Sequence, residues 1–443
     1  MRSYIETLTA RGDMLVVDRE VDPRFELAAV VVRSQKQSRK PVLFRRVRGT
    51  RLPVVSNVFG SATRVRELIG AGAGSLCRAW NVALDRAADL TGRATRTVGA
   101  GSGWVAGTIT DLPHIVWREK DAGPYISAGV FYAKDPDTGI GNLSFCRTQM
   151  TGDRELLCCI DAPHDLANYQ KRAEARNEPL EVAILIAPPP EVFLAGCASV
   201  PIEVDEMTIA AAIRGEPIPV RSCESVSLEV PVETQIVIEG RIRPNERRTE
   251  GPFGEYLGFY GPVNLNGYVI DVSRVMWHQD AIFHGLLCGS AEDLTLLDVA
   301  FSSRTYRMLA AKLPGILDVT CNPMMYCSVV QIDKQYEGHA REAILETFAA
   351  NTNYNFACVV VDKDVDITDF NEVFTAYLTR GRVDRRVLVM NDIRGWDRSS
   401  DPLYAGRIGI DATMPAGREA ELERARTPGA DSLKLADYIN VGA

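Results

Sequence analysis

The first part of the chain alternates short apolar runs with helix-like stretches. Pro41–Phe44 and Pro53–Val55 have the composition of short strands, whereas Thr63–Ile69 is helix-like. This mixture predicts a small α+β domain, which we place at residues 1–106. The run Gly70–Gly74 follows a helix-like stretch and lacks GxGxxG spacing, so it predicts a helix-ending loop rather than a dinucleotide site.

The middle of the chain has the pattern of extended strands. Ile126–Tyr132 and Asn142–Arg147 flank a turn-rich segment and predict a β-hairpin. Further on, aliphatic residues at every second position indicate strands with one buried face: Val226, Leu228, Val230, Val232, Ile236, Ile238 and Ile242. A barrel or a sandwich would close such strands, so we predict a β-rich domain over residues 107–289.

A helix is predicted next, because Ser290 followed by Glu292 and Asp293 is typical of a helix start. Apolar residues at helical spacing extend it as a connecting helix over residues 290–313: Leu294, Leu297, Phe301, Met308, Leu309 and Leu313.

Helices and strands alternate after this connector. The segments that carry the pattern are Ala340–Ala350, Cys358–Val361, Asp369–Arg380 and Val387–Met390. This order predicts a C-terminal α/β domain with a parallel sheet over residues 314–443. We expect the tail after Gly395 to be irregular and then helical over Ala416–Arg426.

Composition narrows the classes of function. The chain has 443 residues, of which 46% are hydrophobic and 24% charged, as in ordinary globular domains. Its net charge of −8 provides no general attraction for nucleic acid, so we expect no such partner. An acid follows closely on the N-terminal Met1, and no stretch approaches the roughly 20 apolar residues of a membrane span. We therefore expect a cytoplasmic protein without a membrane partner.

Cysteine and histidine give few metal signals. The ten cysteines contain no CxxC pair, and the neighbours Cys158 and Cys159 would point to opposite faces of a strand, which favours a structural role. The five histidines contain no HExxH motif, so an all-histidine zinc site would need distant residues to converge. A mixed-ligand site with one histidine stays open.

The segment from Glu250 to Glu255, EGPFGE, is the densest chemical signal. Its proline and two glycines interrupt regular structure and could direct both carboxylates into one pocket. Two acids in one low-dielectric site repel each other, which raises one pKa and creates a general acid or base. A solvated turn is the alternative interpretation.

Asn142, Arg147 and His164 form a second candidate cluster. The odd spacing of Asn142 and Arg147 puts them on opposite faces of a regular strand, unless a bulge or a strand end intervenes. A structural histidine and an ion-paired arginine are the alternatives.

Together these pieces resemble the UbiD-like family of decarboxylases. The resemblance rests on the order Asn142–Arg147, His164, Glu206 and the EGPFGE segment, with weaker support from Asp362–Asp366, Glu372–Arg380 and Gly409–Thr413. It covers most of the chain. It implies that the central domain is a split β-barrel that binds flavin, and that the C-terminal domain forms a homodimer.

The family resemblance also implies the cofactors. Prenylated FMN forms an adduct with an unsaturated or aromatic acid so that CO2 can leave, and a separate flavin prenyltransferase supplies it. Asn142, His164 and Glu206 match the positions that hold manganese against the cofactor phosphate, with potassium as an optional second cation. Such oxygen and imidazole donors suit a fairly hard octahedral cation. The implied cofactor contacts are Asn142, Ser144, Phe145, Cys146, Arg147, Pro163, His164 and Glu206.

Arg147, Glu250 and Glu255 match the catalytic network of the family. By resemblance, Arg147 orients the carboxylates, Glu255 protonates the carbon that CO2 leaves, and Glu250 tunes the group. The same Glu255 would act as base in carboxylation. One position departs from the family: a lysine that contacts the cofactor phosphate often precedes the strand near Cys358, and here Asn355-Phe356 stand there. The metal would then carry more of the phosphate neutralisation.

The substrate pocket is expected where the β-rich domain meets the connecting helix, at His284, Leu286, Leu287 and Arg304. A histidine near an aromatic acid favours heteroaromatic acids such as indole, pyrrole or furan carboxylates, although His284 is equally compatible with a structural role. Phenolic and cinnamate-like acids are competing substrates. The rival functions are a flavin reductase that uses ordinary FMN, and a flavin-binding or assembly protein without turnover.

Overall fold

The computed structural model describes most of the chain. The described residues are 1–71, 75–99, 101, 103–162, 164–321, 326–350, 355–382, 384–393, 405–422, 425, 427–429, 433 and 438. Pro163 and Gly72–Gly74, on which two of the predictions depend, lie outside them.

The N-terminal region mixes helices with short strands, as predicted. In chain order its elements are α1 (Arg2–Ala10), β1 (Leu15–Val17), α2 (Glu26–Gln37), β2 (Val42–Phe44), β3 (Val54–Ser56), α3 (Ala62–Leu68), α4 (Leu76–Ala87) and β4 (Thr95–Thr97). Strand β2 pairs parallel with β1 and antiparallel with β3. The other edge of β3 pairs with Phe283–His284, which ties this sheet to the start of the connecting helix.

The central region is built on strands. Its elements are β5 (Trp104–Gly107), β6 (Tyr125–Ile126), β7 (Gly129–Lys134), β8 (Gly141–Phe145), β9 (Thr148–Met150), β10 (Glu155–Cys158), α5 (Asp165–Ala175), β11 (Leu180–Ile186), α6 (Pro190–Ala195), α7 (Met207–Arg214), β12 (Ile218–Ser222), β13 (Glu229–Pro231), β14 (Ile236–Glu250), β15 (Asn264–His278) and β16 (Phe283–His284). Nine of them form an antiparallel sheet in the order β6-β9-β10-β15-β14-β11-β7-β8, with β5 paired to the end of β15 that extends beyond β10. The predicted hairpin is confirmed as β7 and β8.

Strand β14 is buried differently from the prediction. Every residue from Ile236 to Gly240 is buried, rather than alternate ones. Ile236 and Ile238 belong to one apolar cluster, while Val237 belongs to a second. Both faces of β14 therefore meet hydrophobic cores, while its two edges pair with β11 and β15.

The connecting helix α8 (Ala291–Ala310) begins as predicted, since the Ser290 hydroxyl accepts a hydrogen bond from the backbone N–H of Asp293. The predicted apolar stripe is wrong in register. Of its members only Leu309 is fully buried, and the buried face instead contains Glu292, Thr295, Leu296, Val299, Ser302, Ser303, Thr305 and Leu309. Small polar residues occupy much of the buried face, so a prediction based on the spacing of apolar residues alone put this face in the wrong position.

The C-terminal region is an α/β layer. Its elements are β17 (Ile316–Thr320), β18 (Cys327–Ile332), α9 (His339–Ala350), β19 (Ala357–Asp362), α10 (Phe370–Arg380), β20 (Val387–Ile393) and β21 (Ala405–Ala412). The sheet order is β17-β18-β19-β21-β20. Pairing is parallel between β18, β19 and β21 and antiparallel at both edges, so the sheet is mixed rather than wholly parallel.

The expectation of an irregular tail is wrong where β21 forms. Gly406 and Gly409 weaken the strand pattern in the sequence. In the structure a side chain at Gly409 would collide with Ile344 of α9, so glycine permits this helix to pack on the sheet. Of the predicted helix Ala416–Arg426, the described part contains a 3-10 turn at Glu419–Leu422. The chain is thus a mixed α/β multidomain protein.

Candidate active site

The EGPFGE segment leaves the central sheet and turns back beside it. Strand β14 ends at Glu250, and the chain continues without regular structure to an isolated bridge between Gly254 and Tyr260. The N–H of Gly254 donates to a carboxylate oxygen of Asp121 (2.9 Å), and the N–H of Glu255 donates to the carbonyl of Phe259 (2.9 Å). These two contacts fix the backbone after the proline, and the pairing of Glu250 with Asn264 of β15 fixes it before the proline.

Arg147 brings the two glutamates together. Its Nε and Nη2 donate to the two oxygens of Glu250 (3.1 and 2.9 Å), and its Nη1 donates to Glu255 (2.6 Å). The exposed fractions of the three side chains are 15% for Arg147, 0% for Glu250 and 5% for Glu255, which rules out a solvated turn. Strand β8 ends at Phe145, so Arg147 lies beyond it and escapes the strand alternation that separates it from Asn142.

Aromatic residues complete the surroundings of the ion pairs. The hydroxyl of Tyr125 donates to Glu250 (3.0 Å), and the Phe253 ring lies 5.3 Å from the Arg147 guanidinium carbon. Burial opposes the charged form of Arg147, yet its hydrogen bonds and the neighbouring carboxylates outweigh burial and raise its pKa. Burial, together with the Glu250 charge, also raises the pKa of Tyr125, so Tyr125 acts as a hydrogen-bond donor.

Asn142 and Glu206 form a second buried contact. Asn142 lies in β8, and Glu206 directly precedes α7. One Glu206 oxygen accepts from the Asn142 amide (3.1 Å) and the other from the N–H of Leu143 (2.9 Å), while the hydroxyl of Ser144 donates to the Asn142 carbonyl oxygen. Burial raises the pKa of Glu206 to about 8, and the charges of Asp205 and Asp165 add to the shift, whereas the hydrogen bond from the Leu143 N–H opposes it.

The chemistry of these donors fits a divalent cation. A bound cation would balance the negative charge of the ionised Glu206 carboxylate. Amide and carboxylate oxygens are hard ligands. Within the described residues no group of three His, Cys, Asp or Glu side chains is placed to hold a metal, so a site here depends on the amide of Asn142. His164, the third predicted ligand, lies immediately before α5.

A cavity of about 160 Å³ lies beside Arg147 and Glu255, whereas Asn142 and Glu206 are not among its described lining residues. Its lining includes the predicted residues Phe145, Cys146, Arg147, His164 and Glu255. The other lining residues are Ser127, Cys159, Asp161, Phe253, Leu286, Cys288 and Asp293. Arg147, Glu255 and the predicted metal ligand His164 therefore face one space.

The predicted substrate residues have different placements. Leu286 lines the cavity, whereas Leu287 belongs to the core beneath it. His284 is fully buried, its Nε2 is 3.0 Å from a carboxylate oxygen of Glu292, and its ring packs on Phe193. The structure does not bring Arg304 to the cavity: it is exposed on α8, on the side away from the buried face.

Several cavity residues were missed by sequence reasoning. Tyr125 and Phe253 look like ordinary core aromatics in a sequence. Cys159, expected to be structural, and Cys288 line the cavity. Asp293 looks like a helix-start acid because it is in the first turn of α8. Only the fold brings these positions together.

Comparison with known proteins identifies the family. Family models of the 3-octaprenyl-4-hydroxybenzoate carboxy-lyase match at three places: the N-terminal domain at residues 5–83, the Rift-related domain at 104–291 and the C-terminal domain at 295–412. The chain belongs to the UbiD family. It is a carboxy-lyase.

Relatives of known structure and activity share almost the whole chain. The UbiD-class enzyme HmfF from Pelotomaculum thermopropionicum, in complex with FMN, is 33% identical over 99% of both chains with a TM-score of 0.90. An evolved dimeric form of HmfF in complex with prFMN has a TM-score of 0.87 and is 32% identical over 99% of both chains. An anhydromevalonate phosphate decarboxylase of Methanothermobacter thermautotrophicus is 30% identical over 96% of this chain and 99% of its own length.

Asn355, where the UbiD family often has a lysine, has a structural role. It is buried, its amide donates to the carbonyl of Thr347 (2.8 Å), and its side-chain oxygen accepts from Ser328 (2.6 Å). These bonds hold it within the C-terminal region.

Among the described residues, no helix has the length and apolar character needed to cross a bilayer.

Proposed function

We propose that this UbiD-family protein removes CO2 reversibly and without oxidation from an aromatic or heteroaromatic carboxylic acid. The observation that carries the proposal is the single guanidinium of Arg147 bridging Glu250 and Glu255 at the wall of a cavity. The apolar lining by Phe145, Phe253 and Leu286 suits a planar ring.

Glu255 is the proton donor in this proposal. It lines the cavity, whereas Glu250 lies behind Arg147 and is fully buried. Arg147 fixes both carboxylates through charge-assisted hydrogen bonds, so a proton can be held by the group and delivered from the oxygen of Glu255 that faces the substrate carbon. In the reverse direction Glu255 accepts the proton.

Prenylated FMN and manganese fit the remaining residues. When bound, the prenylated flavin supplies the covalent electron sink that allows a carboxylate to leave as CO2. Asn142, His164 and Glu206 would hold the metal. The raised pKa of the buried Glu206 carboxylate supports this, because a bound cation would balance its negative charge. Ser144, Phe145, Cys146 and Pro163 remain proposed cofactor contacts. Potassium remains a prediction.

The described exposed surface supports a homodimer through the C-terminal region. Phe370, Phe374 and Leu378 follow one face of α10 and are 46%, 47% and 65% exposed. An apolar face of this kind is costly in water, and a second copy would cover it. Light scattering of the purified protein should give the mass of a dimer, and a monomeric mass would refute this part of the proposal.

The cofactor content of the purified protein tests the function. The protein should be co-expressed with a flavin prenyltransferase, and its absorbance spectrum, the mass of its released flavin and its metal content should be measured. Prenylated FMN with manganese supports the decarboxylase and justifies assays of CO2 release. Ordinary FMN despite an adequate supply, with NADH-dependent turnover, would support a flavin reductase instead. Bound flavin without either turnover would support an assembly protein.

A further inference from the structure

Asp293 is an acid of the cavity that the proposed proton transfer does not use. It lies in the first turn of α8 and lines the cavity with Arg147, Glu255 and Leu286. The N–H of Gly289 donates to its carboxylate (2.7 Å), which fixes the direction of the side chain. The side chain is half-buried because part of its surface faces the cavity.

The one arginine in the described lining of the cavity is already paired with carboxylates. Arg147 uses its Nε, Nη1 and Nη2 on Glu250 and Glu255. Arg118 does not line the cavity: it donates to the carbonyl of Cys288 (2.7 Å), and its buried Nε has no hydrogen-bond partner. Among the described residues, none makes an ion pair with Asp293. A second negative group on a substrate would therefore meet carboxylates at this end of the cavity.

The surroundings of Asp293 keep its charge sensitive to pH. Burial raises the pKa of Asp293 to about 6, although hydrogen bonds from the Gly289 N–H and the Cys288 thiol oppose the shift. The charges of Glu292 and Glu255 raise it further, and the thiol of Cys197 also faces this group. The carboxyl is therefore mostly ionised near neutral pH and mostly protonated at about pH 5.

His284 cannot take the role that the sequence suggested for it. Its Nε2 is bound to Glu292, and Phe59 and Phe193 surround its ring. Of the two acids at the start of α8, Asp293 lines the cavity, whereas Glu292 does not.

We infer that Asp293 determines substrate specificity: it accepts a hydrogen bond from a ring N–H or hydroxyl and disfavours a second negative group. The inference rests on the proposed decarboxylase function. It narrows the substrate class to monocarboxylic acids that carry a hydrogen-bond donor. This class differs from the phosphorylated acid in the name of the anhydromevalonate phosphate decarboxylases.

Binding to protein loaded with ordinary FMN and manganese tests this inference without turnover. Titration calorimetry should compare pyrrole-2-carboxylate, which has a ring N–H, with the similarly shaped furan-2-carboxylate and with furan-2,5-dicarboxylate. Near neutral pH the wild type should bind the pyrrole acid about tenfold more tightly than the furan monoacid, and the dicarboxylate most weakly, because a hydrogen bond to a charged group is strong.

Two variants separate the effect of the hydrogen-bond acceptor on Asp293 from the effect of its negative charge. Asp293→Leu should reduce the preference for pyrrole over furan to less than about threefold. Asp293→Asn should improve binding of the dicarboxylate about tenfold, and the wild type should approach this behaviour at about pH 5. Asp298→Asn is the matched control, because Asp298 is on the same helix but bonds to Ser302, Thr320 and Cys321.

A wild type that binds the pyrrole acid no better than the furan acid would overturn the inference, and so would unchanged preferences in both Asp293 variants. A change of preference in Asp298→Asn as large as that in the Asp293 variants would also overturn it. If the binding preferences hold but protein carrying prenylated FMN releases no CO2 from these acids, the specificity role of Asp293 stands and the proposed function fails.

Discussion

Two buried carboxylate sites, both connected to strand β8, differ in how their charge is balanced. Beyond the end of the strand, Glu250 and Glu255 share the guanidinium of Arg147 at 2.6 to 3.1 Å. Within the strand, Asn142 and the neighbouring backbone N–H give Glu206 only neutral hydrogen bonds. Among the described residues, no cation pairs with Glu206.

This difference separates two chemical roles. A buried carboxylate that is left without a cation is costly, and it responds by taking up a proton or by binding an external cation. Glu250 and Glu255 have their cation built into the fold, which suits residues that hold and transfer a proton. Glu206 has a raised pKa, and in the proposed function an added cation balances its charge. We therefore expect different losses when the two sites are altered.

The largest effect is expected at Glu255. Glu255→Gln keeps the shape and hydrogen-bonding ability of the side chain but removes its acid, so the rate of CO2 release should fall by roughly 10²–10⁴-fold. Single-turnover assays at equal cofactor content would measure this loss.

Glu246→Gln is the control for this experiment. Glu246 lies in β14, where it pairs with Arg243 and Arg248 away from the cavity, and its variant should keep full activity. Undiminished turnover in Glu255→Gln would remove Glu255 from the proposed role.

His164→Ala should affect the metal site next most strongly. Loss of an imidazole ligand should weaken manganese binding more than about tenfold and reduce flavin retention, since even indirect supports of a metal contribute that much. Metal analysis after dialysis would measure it. His114→Ala is the control, because His114 is exposed, its Nε2 lies 3.3 Å from the carbonyl of Ile109, and it does not line the cavity. Normal manganese and flavin in His164→Ala would reject this ligand.

A pH-dependent stability effect is expected from Glu206 in metal-free protein. Its pKa in the folded state, about 8, lies above the ordinary value of 4.5, so folding favours the neutral form. The resulting contribution of Glu206 to the free energy of unfolding is complete below the ordinary pKa. It is lost as the pH rises through the pKa of the folded state. In chelator, the melting temperature of the wild type should therefore fall relative to that of Glu206→Gln over this window. If the melting temperatures of the two proteins changed in parallel with pH, the account of Glu206 as a buried carboxylate without a balancing cation would be contradicted.

The smallest effect is expected at Tyr125. Tyr125→Phe removes one hydrogen bond to Glu250 but leaves all three contacts of Arg147, so turnover should fall about threefold to tenfold. Steady-state rates at equal cofactor content would measure it. A loss as large as that of Glu255→Gln would mean that Tyr125 itself transfers the proton.

The sequence predicted the grouping of Arg147, Glu250 and Glu255 better than the lining of the cavity. Glu250 and Glu255 are close in sequence around a rigid turn, and the strand end at Phe145 removes the spacing problem for Arg147. The pocket combines side chains from separate elements, so no local pattern marked Asp293 or Cys288. Arg304 follows the cavity residues in sequence, but helical rotation puts it on the exposed side of α8.

The fold was predictable where the pattern of polar and apolar residues in the sequence matches their burial in the structure. The β7–β8 hairpin has a clear turn between apolar runs, and the start of α8 has a serine cap. Prediction failed for β21, whose glycines serve packing against α9, and for the buried face of α8, which contains small polar residues and Glu292. In both elements tertiary packing outweighs local hydrophobicity.

The most direct test of the two-site account is the manganese and prenylated-flavin content of Glu206→Gln and Glu255→Gln, each co-expressed with a flavin prenyltransferase and measured beside the wild type. We predict that Glu255→Gln retains both components at the wild-type level, while Glu206→Gln loses most of its manganese and much of its flavin. Normal manganese in Glu206→Gln, or equal losses in both variants, would contradict the account.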